Sequence, residues 1–347
     1  MQVRCLIVNK GENMKNKKYF IIASFIVTLT VMLASCGKST SATSSNLTNT
    51  SSLMSSVTSS SPSAATTITV GNNPTSIAYD SGQGEIFVDD RDSGSIAVIS
   101  DSTNEVLSTL TVDPAPICLV YDPAKGEIFV ADYNSGSVAV LSDSTNTVVA
   151  TVTGLNSTPN IMVYDSGKGE IFVSESGAVD VISDSSNTIV ASIPIPATSI
   201  AYDSAKGEVF APDGYSSNLA VISDSTNEVV TTLTISLYPG TIAYNAARGE
   251  IFVSVSNAAA GLNVISDSDN SVKIVKGGIP GYYAYNSGKS ELYAETANHT
   301  VSILTDSSSK VVATLSSKIG PMAYDAGKNE LFIVSSYNTV SVVTPTN

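Results

Sequence analysis

The sequence contains no tryptophan, a single histidine and only three cysteines among its 347 residues. The lone histidine is His299, so a two-histidine metal site is excluded, and no cysteine stands beside it as a nucleophile. No glycine-rich phosphate loop and no paired metal motif is present either. We therefore predict no catalytic residue, no metal ligand and no cofactor.

Basic residues are also scarce. The chain has 17 Lys and Arg against 31 Asp and Glu, which gives a net charge of −14. Such a surface repels phosphate backbones, because nucleic-acid affinity depends on Lys and Arg neutralising phosphates. The composition predicts that nucleic acid is not a partner.

The first 36 residues have the pattern of a targeting segment. Three lysines between positions 15 and 18 precede an apolar run over 19–33, which ends at Leu33–Cys36. This ending resembles a bacterial lipobox, and the resemblance implies cleavage before Cys36 and a diacylglycerol on its thiol. Met14 fits such a signal better as the start than Met1. The alternative is an uncleaved membrane anchor, although the run is short for a span of about 20 residues.

The next segment, 37–66, consists almost entirely of Ser, Thr, Ala and Asn. It has too little apolar content to offset the entropy of ordering it, so it is predicted to be a flexible stalk. With Cys5 and Cys36 in the targeting segment, Cys118 has no disulfide partner in the remaining chain. We expect it to be a small, buried and inert thiol.

After residue 66 one phrase recurs: Ala or Val, then Tyr, then Asp or Asn, with Glu six residues after the Tyr. Its seven tyrosines are 38 to 43 residues apart, so one supersecondary unit is repeated. They are Tyr79, Tyr121, Tyr164, Tyr202, Tyr244, Tyr285 and Tyr324.

Each copy contains four short β-runs, here called a to d, separated by turn residues. Several b runs are apolar at successive positions, which indicates burial on both faces. Four strands and about 40 residues per copy are typical of an all-β, seven-bladed β-propeller, and an open β-solenoid is the alternative. The last copy lacks run d, whereas Thr67–Val70 matches the d run Thr109–Val112. We therefore predict that the N-terminal strand completes the seventh blade and closes the ring.

Residues 67–347 resemble the YVTN family of β-propeller repeats. The resemblance is carried by the tetrads Phe87–Asp90, Phe129–Asp132 and Phe172–Glu175, followed in register by Ser-Val-Ala-Val and Asp-Ser-x-Asn pieces. No copy spells the tetrad literally. The resemblance implies the propeller fold and an extracytoplasmic or cell-surface location, and it transfers no catalytic residue.

The a–b and c–d connections are nearly constant between copies, whereas all length differences lie in the b–c and d–a connections. The Asp or Asn after each repeated Tyr and the Ser-Asp-Ser-x-Asn turns could be imagined as metal sites, the best calcium candidate being Asp267–Asn270. Turn formation explains these residues better, because short polar side chains and Gly satisfy tight turns. Successive strands alternate in direction, so the variable connections should share one face of the disc.

Binding sites concentrate on variable loops held by a rigid scaffold, so we place function on that face. Tyr with scattered charges suits a protein, peptide or glycan. We predict a non-enzymatic binding or cell-surface scaffold module whose membrane contact is the lipid anchor alone. The alternatives are a lactonase-like or lyase-like enzyme using channel carboxylates and a self-associating surface-layer component. The candidate ligand-binding residues are Arg91, Asp92, Asp113, Tyr133, Glu175, Asp213, Tyr215, Tyr283, Glu295, His299 and Tyr337.

Overall fold

The computed structural model describes residues 66–255, 262–275, 281–286, 289, 291–296, 300–304, 309–314 and 319–345. The predicted targeting segment, the stalk before Thr66, Cys36 and His299 lie outside these residues. No helix within the described ranges has the length and apolar character needed to span a membrane.

The described strands form seven antiparallel sheets of four strands each. The first strand of the described residues, β1 (Thr66–Thr69), does not join the sheet that follows it. The first three sheets are β2 (Pro74–Asp80), β3 (Glu85–Asp90), β4 (Ser95–Ser100) and β5 (Val106–Thr111); β6 (Pro116–Asp122), β7 (Glu127–Asp132), β8 (Ser137–Ser142) and β9 (Thr147–Val152); and β10 (Pro159–Asp165), β11 (Glu170–Glu175), β12 (Val179–Ser183) and β13 (Thr188–Ile193). A single 3-10 turn, Arg91–Ser93, follows β3.

The remaining sheets repeat this plan. The fourth to sixth are β14 (Ala201–Asp203), β15 (Glu208–Pro212), β16 (Asn218–Ser223) and β17 (Glu228–Thr234); β18 (Pro239–Asn245), β19 (Glu250–Val255), β20 (Leu262–Ser266) and β21 (Val272–Val275); and β22 (Tyr283–Asn286), β23 (Glu291–Thr296), β24 (Thr300–Leu304) and β25 (Ser309–Thr314). The seventh joins β26 (Met322–Asp325), β27 (Glu330–Ser336) and β28 (Thr339–Val343) to β1.

The sheets are the blades of a closed ring. The a strand of each blade contacts the a strands of both neighbouring blades, and β26 contacts β2, so the last blade adjoins the first. The prediction of an all-β, seven-bladed β-propeller is confirmed.

The N-terminal strand closes the seventh blade as predicted. Strand β1 pairs antiparallel with β28, with Ile68 opposite Val340 and Thr66 opposite Val342. Pairing begins at Thr66, one residue earlier than the sequence indicated. The Ile68 side chain is 5% exposed and packs in a cluster with Ile77 of the first blade. Strand β1 therefore contributes both to the sheet of the seventh blade and to the packed boundary between the last and first blades.

The hydrophobic core lies between blades. Each described cluster joins two consecutive blades, and together the seven clusters cover every boundary of the ring. The second position after each repeated Glu supplies the aromatic of the b strand, and its side chain packs toward the following blade. These aromatics are Phe87, Phe129, Phe172, Phe210, Phe252, Tyr293 and Phe332, all at most 7% exposed. The b strands are apolar at successive positions because both faces of each sheet are covered.

The a–b and c–d turns, whose lengths are nearly constant between copies, form as their polar residues predicted. Asp80 Oδ1 accepts hydrogen bonds from the backbone N–H groups of Gly82 (2.7 Å) and Gln83 (3.1 Å). Gly84 has a φ of +68° in the same a–b turn, a conformation that favours glycine. In the c–d turn, Asn104 has a φ of 57°, which asparagine tolerates better than most residues. These residues shape turns.

Cys118 is a packed thiol. It is 4% exposed, and its Sγ accepts a hydrogen bond from the backbone N–H of Met162 at 3.3 Å. Burial raises the pKa of the thiol to about 12, so it stays protonated and unreactive at neutral pH. The expectation of a small buried thiol is confirmed.

Phe129 gives a direct test of packing between blades. It is fully buried in a cluster with Met162 and Ile171 of the third blade. We expect Phe129→Ala to lower the free energy of unfolding by about 3 to 5 kcal/mol, because it removes a large side chain and leaves a cavity. Urea denaturation of the isolated domain measures the change. Tyr133→Ala, at a residue 49% exposed, is the control and should change stability by about 0.5 kcal/mol or less. Equal losses for both variants would contradict this packing.

Candidate functional site

The ring has two unlike faces. The described b–c and d–a connections lie at one end of their sheets, here called the variable face, and the described a–b and c–d turns lie at the other end, here called the framework face. This arrangement follows from the antiparallel order of the strands, since each connection reverses the chain. The two faces can be analysed separately.

Three consecutive blades contribute to one cluster on the variable face. Arg91 and Asp92 lie in the 3-10 turn after β3, Tyr133 follows β7, and Tyr337 follows β27. The Arg91 guanidinium carbon lies 5.1 Å from the centre of the Tyr133 ring, and the Tyr337 hydroxyl donates to Asp92 Oδ2 at 2.7 Å. We call these four residues the three-blade patch. Sequence analysis singled out each residue, and the ring closure brings them together.

The three-blade patch is open to solvent and held in place by polar contacts. Tyr133 is 49% and Tyr337 58% exposed. Asp92 also accepts from the side-chain amide of Asn73 at 3.2 Å, and the hydrogen bonds from Tyr337 and Asn73 lower the pKa of Asp92. The patch therefore combines two aromatic faces, one cation and one carboxylate. These groups suit stacking and hydrogen bonding.

Asn73 was not identified from the sequence. It lies in the d–a connection between β1 and β2 and has a φ of 56°. Its side-chain amide donates to Asp92 Oδ1, the carboxylate oxygen that the Tyr337 hydroxyl does not use. The only signal was an asparagine next to Pro74, which is also an ordinary turn signal.

Asp113, Asp213 and Tyr215 make contacts other than those of the three-blade patch. Asp113, in the d–a connection between the first two blades, accepts from the Ser137 hydroxyl at 3.4 Å. Asp213 accepts from the backbone N–H of Tyr215 at 3.0 Å, which makes a local turn on the fourth blade. Tyr215 is 82% exposed. The fourth blade is flanked by the third and fifth, so this pair is not part of the three-blade patch.

Two further candidates lie in strands, which corrects their expected position in loops. Tyr283 begins β22 and packs, half-buried, against Phe252 and Leu292. Glu295 lies within β23 and is also half-buried. The aromatic and apolar neighbours between the fifth and sixth blades explain the position of Tyr283. His299 lies outside the described residues.

The prediction that Glu175 is a ligand-binding residue of the variable face also needs correction, because its side chain is fully buried. Its Oε2 accepts a hydrogen bond from the backbone N–H of Ser157 in the preceding d–a connection. Burial raises its pKa to about 7, and the neighbouring carboxylate of Asp180, itself fully buried, contributes in the same direction. Asp132 occupies the same place in the second blade and accepts from Ala115 N–H at 2.7 Å. This fourth position of the tetrad therefore fastens the d–a connection to the blade.

The repeated tyrosines act on the framework face. The Tyr121 hydroxyl donates to Asp143 Oδ2 at 3.4 Å, and Asp80 of the preceding blade is the next strongest influence on its pKa after burial. Tyr202 makes the equivalent bond to Asp224 at 3.2 Å. The equivalent pairs in two other blades are Tyr79 with Asp101 and Tyr244 with Asp267. The repeated Tyr thus connects its own c–d turn with the preceding blade, a role that spacing alone did not indicate.

No three His, Cys, Asp or Glu side chains among the described residues are arranged to hold a metal ion. The turn residues Asp80 and Asp122 instead use one carboxylate oxygen each to accept two backbone N–H groups. The positions imagined as metal ligands therefore have a demonstrated role in the turns.

The buried Glu175 makes stability depend on pH. Because its folded-state pKa of about 7 lies above the ordinary value of 4.5, the folded state holds its proton more tightly than the unfolded state. The free energy of unfolding should therefore fall as pH rises from about 4.5 to 7, and we expect Glu175→Gln to remove about 1 to 3 kcal/mol of that fall. Urea denaturation at pH 5 and pH 7.5 measures it. Exposed Asp113→Asn is the control and should keep the wild-type slope. An unchanged slope in Glu175→Gln would contradict the account.

The comparisons with known proteins concern the fold. No family model matches the chain, and no curated protein matches it, so the YVTN resemblance stays a prediction. Among solved structures, the β-propeller domain of Cps50 (Swd1) from Myceliophteria thermophila is 12% identical, with a TM-score of 0.67, over 84% of this chain and 99% of that chain. Hydrazine synthase from Kuenenia stuttgartiensis is 15% identical, with a TM-score of 0.68, over 79% of this chain and 96% of that chain. At these identities the likeness shows the β-propeller fold alone.

Proposed function

We propose that this protein is a non-enzymatic binding or cell-surface scaffold module that engages its ligand through the variable face. The observation that carries the proposal is the three-blade patch, in which Tyr337, Asp92, Arg91 and Tyr133 come from three consecutive blades. Binding residues on loops held by a rigid scaffold are the usual way in which such folds acquire specificity.

The physical properties of the three-blade patch favour recognition. Tyr side chains offer a broad contact area at low conformational-entropy cost, because only two torsions must be fixed. Here both tyrosines are already restrained, Tyr337 by Asp92 and Tyr133 by Arg91. Because they are already restrained, the two tyrosines would lose little further side-chain freedom when a partner covers them. Burial of the Arg91 and Tyr133 pair would also strengthen the cation–π attraction between them.

The chemistry of the three-blade patch fits a protein, peptide or glycan. Aromatic rings pack against sugar rings or apolar side chains, while Asp92 and Arg91 can accept and donate hydrogen bonds at the edge of the contact. We further propose that the chain belongs to the YVTN repeats and is tethered outside the cytoplasm by a lipid on Cys36. Support comes from the lipobox-like ending at Leu33–Cys36 and the Ser/Thr-rich segment 37–66, which would hold the propeller away from the membrane.

The hydrolytic alternative would require an accessible acid. Three carboxyls at the variable-face end of the b strands have a pKa raised towards neutrality, to about 8 for Asp89, about 6 for Asp90 and about 7 for Glu175, but all three are fully buried. Glu175 is also bonded to the backbone of Ser157. Its partner Asp180 is equally buried and accepts from Asn156. Both acids fasten a loop, which favours binding over hydrolysis as the proposal.

The test is a screen of the purified domain against a glycan array and a displayed random-peptide library. We expect at least one ligand whose affinity falls by about tenfold or more in Tyr133→Ala and in Tyr337→Ala, since truncating a central aromatic contact costs above about 1 kcal/mol. Tyr215→Ala, on the fourth blade and 82% exposed, is the matched control and should bind as the wild type does.

Three results would contradict the proposal. One is that every ligand found binds equally well after both patch substitutions. Another is turnover of lactones, esters or glycosides that disappears in Glu175→Gln, which would favour the enzyme. The third is the absence of any ligand together with concentration-dependent association in size-exclusion chromatography, which would favour the self-associating surface-layer component.

A further inference from the structure

The connections that surround the three-blade patch are rich in side-chain amides. Asn72 and Asn73 lie in the d–a connection between β1 and β2, and each patch tyrosine is followed directly by an asparagine, Asn134 in the second blade and Asn338 in the seventh. Asn72, Asn134 and Asn338 are exposed. A side-chain amide offers two N–H donors and a carbonyl acceptor on one plane. The patch is therefore surrounded by groups that can both donate to and accept from a ligand rich in hydroxyl groups.

The Asp92 carboxylate keeps acceptor capacity on both of its oxygens. Oδ2 accepts from the Tyr337 hydroxyl at 2.7 Å, and Oδ1 accepts from the Asn73 side-chain amide at 3.2 Å. These two bonds lower the pKa of Asp92, so it is ionised at neutral pH. Since an ionised carboxylate has about four lone-pair sites, one site remains on each oxygen. Two adjacent acceptor sites suit two neighbouring hydroxyl groups of one sugar ring, and hydrogen bonds to a charged acceptor are the stronger kind.

The two tyrosines offer ring faces close to this carboxylate. Tyr133 is 49% exposed although the Arg91 guanidinium lies over its ring, and Tyr337 is 58% exposed while its hydroxyl is bonded to Asp92. The face of an aromatic ring is electron-rich, so the C–H groups on one side of a sugar ring pack favourably against it. The patch thus provides a stacking surface next to each of its two charged groups.

Main-chain groups of the patch are used within the protein. The N–H of Asn73 donates to the Tyr337 carbonyl, and the N–H of Arg91 donates to the Asn73 carbonyl at 3.2 Å. The N–H of Tyr133 is also bonded within its own blade, at 3.0 Å. A peptide that binds as an added strand needs free main-chain donors and acceptors. Because the patch offers side chains instead, it favours a glycan over an extended peptide.

Large aliphatic side chains are exposed away from the patch. Within the described ranges those side chains belong to the d strands, except for Leu237 in the connection before β18. Protein and peptide contacts of high affinity bury a hydrophobic centre inside a polar rim. The patch has aromatic rings and polar groups where such a contact would place aliphatic groups, which again favours a glycan.

We propose that the three-blade patch binds a neutral oligosaccharide, with sugar rings packed on Tyr133 and Tyr337 and neighbouring hydroxyl groups bonded to Asp92. This inference rests on the proposed function and names the ligand class of the same site. The ligand is neutral because Asp92 is ionised and the chain carries a net charge of −14, so carboxylate and sulfate groups are repelled. Arg91 holds the Tyr133 ring and donates to sugar oxygens.

The test is isothermal titration calorimetry of the purified protein at pH 7.5 with four neutral probes, which are cellotetraose, maltotetraose, β-mannotetraose and tetra-N-acetylchitotetraose. We expect at least one of them to bind saturably. Asp92→Asn and Tyr133→Ala should each weaken its binding by about tenfold or more, because they remove the charged acceptor and a stacking face. Tyr337→Phe keeps the ring and removes the hydroxyl, so it should weaken binding less than Tyr337→Ala. Asp269→Asn, at an exposed turn of the framework face, is the matched control and should bind as the wild type does.

The outcomes separate this inference from the proposed function. If no neutral probe binds, while a displayed peptide binds and loses affinity in Tyr133→Ala and Tyr337→Ala, the oligosaccharide is overturned and the variable-face binding module stands. Equal affinity of wild type and Asp92→Asn for the bound probe, or tighter binding of tetragalacturonate than of every neutral probe, would also overturn the oligosaccharide. The absence of any ligand that depends on the patch would contradict both. Thermal unfolding checks that each variant is folded.

Discussion

The pairing of β1 with β28 is the constraint on which the rest of the structure depends. A single four-stranded blade has apolar residues on both faces and can bury them only between two neighbours. All seven boundaries contain a hydrophobic cluster, so no blade is left at an open end. Placing Ile68 beside Val340 joins the two ends of the domain within one sheet and completes the last boundary.

The two faces of the closed ring differ in what their residues do. On the framework face, repeated Tyr and Lys residues bond to the c–d turn of their own or of the next blade, as Tyr202 and Lys168 do with Asp224. On the variable face, connections of different lengths present residues that no other blade repeats. The three-blade patch depends directly on closure, because Tyr337 of the last blade meets Asp92 of the first. Two residues 245 positions apart in sequence become partners only after the ends of the domain have met.

The fold could be predicted because its signals are local and repeated. The interval of six residues between the repeated Tyr and Glu predicted every a–b hairpin, and the match of Thr67–Val70 to Thr109–Val112 predicted the closing strand. The candidate site was harder to predict from the sequence. Periodicity predicts which face of the ring a loop joins, but it does not predict how deeply each side chain is buried. Glu175 illustrates this limit: it was a candidate ligand-binding residue of the variable face, yet it ends β11 fully buried and accepts a hydrogen bond from a backbone N–H of the preceding loop.

Hydrogen exchange of the backbone amides in β1 tests the central claim most directly. If β1 closes the ring, its amides that bond to β28 should exchange as slowly as those of β28 itself, because both open only when the seventh blade opens. Exchange of the β1 amides at the rate of an unstructured chain, while β28 remains protected, would show that the seventh blade holds only three strands and would contradict the closed ring.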